Sequence, residues 1–191
     1  SGILAGVYAL AGAAVAKYYL NNSGKIYTNY DQVTEDTLSE NLVIDLLTIA
    51  ISVLLLAIIT AIVLTTRKAR KNNEKIWTST SQRLLAAFCI PLLSGGLFCL
   101  VLLQYGVVGL VAPATLLFYG LALINASKYT LGDIKFLGLA NVVLGLVATQ
   151  FVGYGLYFWA LGFGVLHIIY GIIMYNKYDR KSAQNSDFCH K

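Results

Sequence analysis

The chain has 191 residues, of which 58% are hydrophobic and only 12% are charged, and its mean hydropathy is +0.69. Soluble globular domains carry roughly a quarter charged residues, so this composition excludes an ordinary soluble domain and predicts a chain whose solvent is largely lipid. The net charge is +5, and the three cysteines form no CxxC arrangement, which excludes a disulfide framework.

The apolar residues are grouped into six segments, each long enough to cross a hydrocarbon core; a core of roughly 30 Å takes about 20 helical residues. In chain order these predicted spans cover about residues 2–20, 43–65, 84–104, 108–126, 134–152 and 156–175. We therefore predict an all-α fold, a polytopic membrane helix bundle of six transmembrane helices. It forms a single domain over 1–176, followed by a polar cytoplasmic tail over 177–191.

The first two connections between the spans carry opposite charge. The connection over 21–42 holds four acidic residues and one lysine, whereas the connection over 66–83 is strongly basic. Its basic residues are Arg67, Lys68, Arg70, Lys71, Lys75 and Arg83. Basic residues are retained on the cytoplasmic side of a membrane, so 66–83 and both termini are predicted to be cytoplasmic and 21–42 external. We expect these side chains to contact anionic lipid headgroups rather than nucleic acid, because they lie between two spans.

A weak internal repeat relates the third and fourth spans to the fifth and sixth. Tyr105-Gly106 and Tyr154-Gly155 are 49 residues apart, and Lys128-Tyr129 and Lys177-Tyr178 have the same offset. The repeat predicts that one two-helix hairpin occurs twice in the same orientation.

The interior of the predicted spans is apolar or neutral, with no Asp, Glu, Lys or Arg near the middle of any of them. Pumps, voltage sensors and many ion-coupled transporters place charged groups there, so these classes are disfavoured. A facilitator or channel lined by neutral groups remains possible. The chain contains no HExxH, GxSxG or Gly-rich phosphate loop, and we expect no catalytic residues.

Two matching segments, GLANVVLG over 138–145 and GVLHIIYG over 164–171, each place a polar residue between two glycines. The polar residues are Asn141 and His167, and the small residues that shape the two faces are Gly138, Gly145, Ala160, Gly164 and Gly171. In each segment the polar residue and both glycines lie within about 60° of one another around a helix. Asn141 and His167 are also equally distant from Tyr154, at the centre of a tight turn. We predict that these two side chains face each other or share one interface.

A packing or hydrogen-bonding role is the simplest interpretation of His167. A haem with two histidine ligands needs a second histidine, and His190 lies in the polar tail. A structural zinc site needs four ligands. We therefore predict no cofactor and no metal, and leave open a role in contacting a proton or a substrate.

Three stretches carry a resemblance to a known family: SGILAGVYAL at 1–10, VAPATLLFYGLALINASKYTLGDIKFLG at 111–138 and YGLYFWALGFGVLHIIYGIIMYNKYD at 154–179. They resemble an uncharacterised family of small integral membrane proteins from Bacteroidetes-type bacteria. The resemblance implies a bacterial inner-membrane location and a polar cytosolic segment before Ser1, and it implies no activity.

The function that these features favour is a non-enzymatic accessory or scaffold subunit that acts through protein and lipid contacts, with a protein partner or further copies of itself. Glycine-rich faces suit the close packing of membrane helices, which is the basis of this hypothesis. The alternative is a small facilitator or channel with Asn141 and His167 near its path. A membrane enzyme ranks third among the hypotheses, because it would need a polar cavity that the sequence does not indicate.

Overall fold

The computed structural model describes residues 2–22, 40–71, 77–130 and 132–179, and every regular element in these ranges is helical. The main helices are α1 (Gly2–Asn22), α2 (Glu40–Lys71), α3 (Ser79–Gln104), α4 (Val111–Ala126) and α5 (Ile134–Ala148). Three 3₁₀ turns accompany them, at Val108–Leu110, Ser127–Tyr129 and Val152–Tyr154. The predicted all-α helical bundle is confirmed. Lys75 and nearly all of the tail and of the 21–42 connection lie outside the described residues.

The last helical stretch, over 155–179, changes its winding along its length, and we call it the C-terminal rod. It comprises α6 (Gly155–Trp159), a π-helical segment at Ala160–Val165, α7 (Leu166–Met174) and a second π-helical segment at Tyr175–Asp179. A π-helix pairs each N–H with the carbonyl five residues earlier. The first π-helical segment contains Gly162 and Gly164, whose low α-helix propensity makes the departure from α-helical winding inexpensive.

Within the described residues, five helical stretches are long and apolar enough to span a membrane. They are Gly2–Asn21, Ile44–Arg67, Ser79–Gln104, Val108–Tyr129 and Val152–Lys177. The fifth predicted span, over 134–152, is shorter than expected, because α5 ends at Ala148 after 15 residues. Its length of roughly 22 Å falls below a typical hydrocarbon core. The polar Thr149 and Gln150 close this helix with turn-like hydrogen bonds to Leu146 and Val147.

Helix α4 lies at the centre of one half of the bundle. Phe118 and Asn125 of α4 meet Gly95 and Ala87 of α3. Pro113 and Gly120 of α4 meet Gly145 and Gly138 of α5. Both neighbours therefore run antiparallel to α4. The C-terminal rod instead runs parallel to α4, because Gly155 at its start contacts Ala112 near the start of α4.

Helix α1 packs antiparallel on the C-terminal rod and carries α2 on its other side. Gly2 lies against Gly171 near one end of this pair, and the Lys17 ammonium lies 5.3 Å from the centre of the Tyr157 ring near the other. Small side chains on α1 allow this approach, and Ala9, Ala13 and Ala16 are buried along it. The neighbouring α2 contacts α1 at two positions. Val53 of α2 packs on Gly12 of α1, and Thr60 of α2 donates a 3.5 Å hydrogen bond to the Tyr8 hydroxyl of α1.

The outer surface of the bundle is apolar along the helices and aromatic at both ends. On α3, Ile90, Leu93 and Leu97 each expose more than 60% of their surface. Exposed aromatic residues at one end are Tyr18, Tyr105, Tyr154 and Tyr157, and those at the other end are Trp77, Tyr129 and Tyr175. The second end also holds the exposed basic residues Arg67, Arg70, Arg83, Lys128, Lys135 and Lys177, and we call it the basic end. Aromatic rings at both ends of an apolar band are typical of helices that cross a membrane.

The two turns related by the 49-residue offset have different geometries. Gly106 follows α3 with a φ of 73°, whereas Gly155 is already helical, with a φ of −50°. The 3₁₀ turns Val108–Leu110 and Val152–Tyr154 instead correspond to each other at an offset of 44 residues, since each leads directly into the next helix. The two halves therefore share a hairpin architecture, but their turns do not match in the register that the sequence predicts.

Candidate functional site: a buried polar cluster

The C-terminal rod meets α4 and α5 at Gly162, and the polar cluster is built around this glycine. A methyl group placed on Gly162 would clash with Leu116 of α4 and would lie 2.7 Å from Oδ1 of Asn141 and 3.2 Å from Cδ2 of Leu144, both on α5. Gly162 is therefore a position at which the rod packs directly against side chains of both α4 and α5. Only glycine fits here without a shift of its neighbours, because the backbone itself forms the contact surface.

His167 is 6% exposed, and both of its ring nitrogens are engaged. Nδ1 lies 2.9 Å from the carbonyl oxygen of Gly162, and Nε2 lies 2.7 Å from the hydroxyl of Tyr119 on α4. A carbonyl can only accept, so Nδ1 carries a proton and donates to Gly162. In the neutral ring Nε2 is then the acceptor, and the Tyr119 hydroxyl donates to it. The imidazole thus connects the C-terminal rod to α4.

The bond from His167 to Gly162 has the spacing of the π-helix in which the carbonyl lies. The two residues are five positions apart, which is the separation between donor and acceptor in π-helical winding. The imidazole therefore donates to a carbonyl within the segment where the winding of the rod changes. This hydrogen bond stabilises the π-helical segment together with the junction to α4.

Asn141 is completely buried, but its amide is only partly satisfied. Its Nδ2 donates to the carbonyl oxygen of Leu137, one turn earlier in α5, at 2.9 Å. Its Oδ1 has no hydrogen-bond partner and lies beside Gly162, where a methyl group would come within 2.7 Å of it. Exchanging Oδ1 and Nδ2 would place two oxygens against each other at Leu137, so the orientation of the amide is determined by its donor.

Aromatic rings enclose the side of the cluster that faces α3. The Tyr119 ring lies 4.9 Å from Phe163, and Phe163 lies 6.1 Å from His167, between ring centres. Phe88 of α3 approaches Tyr119 edge to face at 6.1 Å, and Trp159 lies 5.1 Å from Phe163. These contacts hold the Tyr119 and His167 rings in the positions that their hydrogen bond requires.

Asn141 and His167, which the sequence places on facing helices, both lie next to Gly162 but bond to other groups. His167 bonds to Gly162 and Tyr119, and the amide of Asn141 bonds to its own helix. The sequence interpretation missed Tyr119 as the partner of His167 and Gly162 as the shared neighbour. The sequence carries no direct signal for either residue, because the helix that faces His167 is decided by tertiary packing.

The small residues around the pair face different helices from those expected. Gly138 packs against Gly120 and Gly145 against Leu117, so both of these α5 glycines pack on α4 rather than on the rod. Gly164 packs against Leu10 and Gly171 against Ile3, both of α1. Ala160 is half-buried at the start of the π-helical segment. The two glycine faces therefore serve two separate helix crossings, because each helix has its closest neighbour on the side of its glycines.

The other neutral polar residues of the spans mostly bond to their own helices. Their hydroxyls donate to carbonyls three or four residues earlier, as seen for Thr48, Ser52, Ser94, Thr115 and Thr149. An exception is Asn125, which donates to the carbonyl of Ala87 on α3 at 2.8 Å. Hydroxyls bonded within their own helix contribute little between helices, so the Tyr119–His167 bond stands out as a contact between helices.

Of the basic residues predicted to face lipid headgroups, those that the structure describes lie at one end of the bundle. Arg67, Arg70 and Arg83 are exposed there. Lys68 and Lys71 lie on α2, where the structure describes their backbone alone. Among the described residues, no group of three or more His, Cys, Asp or Glu side chains is placed to hold a metal ion.

The chain matches no protein-family model, no curated protein and no solved structure.

Proposed function

We propose that this chain is a non-enzymatic accessory or scaffold subunit of a bacterial inner membrane, acting through protein and lipid contacts. In this proposal six helical segments cross the membrane and both termini are cytoplasmic. The observation that carries the subunit role is the placement of α2, which packs on α1 along one face. None of its side chains over 44–67 is buried. Helix association in lipid needs close packing, so a long helix that packs closely on one neighbour among the described helices is suited to a further partner.

The charge distribution supports the proposed orientation. The basic end holds exposed arginines on α2 and α3 and exposed lysines near α4, α5 and the end of the rod. The opposite end holds Lys17, whose ammonium lies over the Tyr157 ring, and the exposed Asp45. The rule that basic residues stay inside favours a cytoplasmic location for the basic end.

The packing of α5 supports its inclusion among the crossing segments. Gly138 near its start lies against Gly120, and Gly145 near its end lies against Pro113 and Leu117. α5 therefore follows α4 along most of the length of α4. A short helix in this position is accommodated by local thinning of the bilayer or by polar residues that reach the interface, and Thr149 and Gln150 lie where they can do so.

A site-specific cross-linking experiment tests the subunit role. A photoreactive amino acid at Leu55, which is 52% exposed on the side of α2 away from α1, is expected to capture one discrete protein in native membranes. The same group at Val53, which packs on Gly12 of α1, is the matched control and is expected to react within the chain. A chain that purifies as a lone monomer, with no product from Leu55, would disprove the proposal.

The alternative of a facilitator or channel needs a polar path beside Asn141 and His167. Both side chains are buried, with 0% and 6% of their surface exposed, and their hydrogen bonds go to protein groups. This geometry favours a packing role over a path. Flux measured in proteoliposomes with the parent chain and with His167→Ala separates the two, because a path lined by His167 would change its flux.

A further inference from the structure

An apolar groove runs between α5 and the C-terminal rod on the outer surface of the bundle. Phe136, Leu139 and Val143 line it from α5, and Leu161, Val165 and Ile169 line it from the rod. On α5 the groove extends from Phe136 to Val147, which is roughly 16 Å along the helix. Half of a 30 Å hydrocarbon core is about 15 Å. The groove is therefore about as long as one leaflet is thick.

The side chains that line the groove suit a thin occupant rather than a helix. Two helix crossings of this chain are built on glycine pairs, at Gly120–Gly138 and at Gly6–Gly164, and two others place a glycine against a larger side chain, at Gly12–Val53 and at Gly95–Phe118. Each crossing thus contains a glycine, because a helix needs small residues to approach closely. The groove is lined mainly by branched and aromatic side chains, with Ala140 as its small residue. An extended hydrocarbon chain can lie between such side chains without displacing them.

The groove leads to a charged site at the basic end. Lys135 is exposed and lies one helical turn before Leu139, on the same side of α5. Lys177 is nearby on the rod, and its Nζ lies 2.7 Å from Oδ2 of Asp133. Among the side chains that the structure describes there, two lysines and one aspartate leave a net positive charge where the groove ends. A headgroup with a negative phosphate complements this charge.

We propose that the groove seats an acyl chain of an anionic phospholipid, with the headgroup at Lys135. This inference rests on the membrane location in the proposed function and is independent of the subunit role. The lipid covers the lateral opening between α5 and the rod and adds a contact between Lys135 and the end of the rod. Bound in this way, it fills the outer side of the helix pair whose inner side holds Asn141 and His167.

Native mass spectrometry of the purified, delipidated chain tests the proposal with two lipids that have identical acyl chains. Phosphatidylglycerol is expected to bind about fivefold more tightly than phosphatidylcholine, the factor that corresponds to one basic residue at a membrane surface. Lys135→Gln is expected to remove most of this preference and to leave phosphatidylcholine binding unchanged. Lys128→Gln is the matched control, because Lys128 lies at the same end in the 3₁₀ turn after α4.

A second variant tests the apolar part of the groove. Ala140→Phe places a ring where the acyl chain would lie and is expected to weaken the binding of both lipids. Leu93→Phe, at a 67% exposed position of α3, is its control and is expected to bind as the parent does.

Equal affinity for the two lipids, or unchanged binding in Ala140→Phe, would overturn the proposal. A dimer that Ala140→Phe abolishes would also overturn it, because a second copy would then occupy the groove. A chain that binds lipid in this way but captures no partner from Leu55 would refute the subunit role alone.

Discussion

The hydroxyl of Tyr119 and Nε2 of His167 lie 2.7 Å apart, although the two residues are 48 positions apart in the chain. Their hydrogen bond joins two helices that run parallel. The same imidazole donates from Nδ1 to Gly162. His167 therefore has no spare hydrogen-bonding atom, and the loss of either partner leaves a buried nitrogen without its bond. Such a group costs more than an average hydrogen bond contributes.

Tyr119→Phe is expected to lower the free energy of unfolding by about 1–2 kcal/mol, because it removes the donor to Nε2 and keeps the ring. Thermal or denaturant unfolding of the purified chain in detergent measures the change. Tyr105→Phe is the control, since Tyr105 is 77% exposed at the end of α3. A double-mutant cycle with His167→Phe isolates the contact. A coupling near zero, or equal stability of the two tyrosine variants, would refute the assigned bond.

Gly162→Ala is expected to destabilise the chain by about 1–3 kcal/mol, because the new methyl group meets Leu116 and Asn141 in a packed junction. Gly96→Ala is the matched control, since a methyl group at Gly96 has nothing within 4 Å. That substitution in a helix interior should leave stability unchanged or raise it by up to about 1 kcal/mol. Melting curves of the two variants compare them directly. If Gly162→Ala melts like the parent, the junction is less tightly packed than the geometry indicates.

The sequence predicts five of the apolar helices well, because the length and the hydropathy of a helix depend only on its own segment and not on its neighbours. The end of α5 was less predictable. Its apolar run continues to Val152, but the helix stops at Ala148, where Thr149 and Gln150 form turn-like hydrogen bonds. Their polarity was visible in the sequence, but apolar neighbours on both sides concealed its effect on the helix.

The site was predictable only in part, for a reason that lies in tertiary packing. Asn141 and His167 stand out because they are polar residues in apolar runs. Their partners depend on which helix faces which, and a glycine face does not identify its own neighbour. Gly138 could have met the rod as readily as α4, and Gly164 could have met α5 as readily as α1. The π-helical segment also changes the angular position of His167 relative to a continuous α-helix, because its winding differs.

Two glycines of α1 are expected to respond differently to alanine. A methyl group at Gly6 would lie 2.7 Å from the backbone oxygen of Gly164, so Gly6→Ala must separate α1 from the rod and should cost about 1–3 kcal/mol. A methyl group at Gly12 meets mainly a methyl of Val53 on α2, with no backbone atom among its nearest contacts, so a small shift of α2 relieves it and Gly12→Ala should cost less. Unfolding in detergent measures both changes. A larger loss for Gly12→Ala would mean that α2, and not the rod, is the main support of α1.

Single-cysteine labelling tests the topology, after Cys89, Cys99 and Cys189 are replaced by serine. Trp77 and Tyr105 lie at opposite ends of α3 and are 70% and 77% exposed. With the basic end in the cytoplasm, Tyr105→Cys should react with a membrane-impermeant maleimide in intact cells, and Trp77→Cys should react only after the membrane is opened. The reverse pattern would invert the proposed orientation.

The same labelling decides whether the short α5 crosses the membrane. Lys135 near its start and Gln150 after its end are both exposed. If α5 crosses, Lys135→Cys should react like Trp77→Cys and Gln150→Cys like Tyr105→Cys. If both react from one side, α5 does not cross and the six-span arrangement is wrong. We expect the crossing, because Gly138 and Gly145 follow α4 over most of its length, and a bilayer can thin locally around a helix of about 22 Å at modest cost.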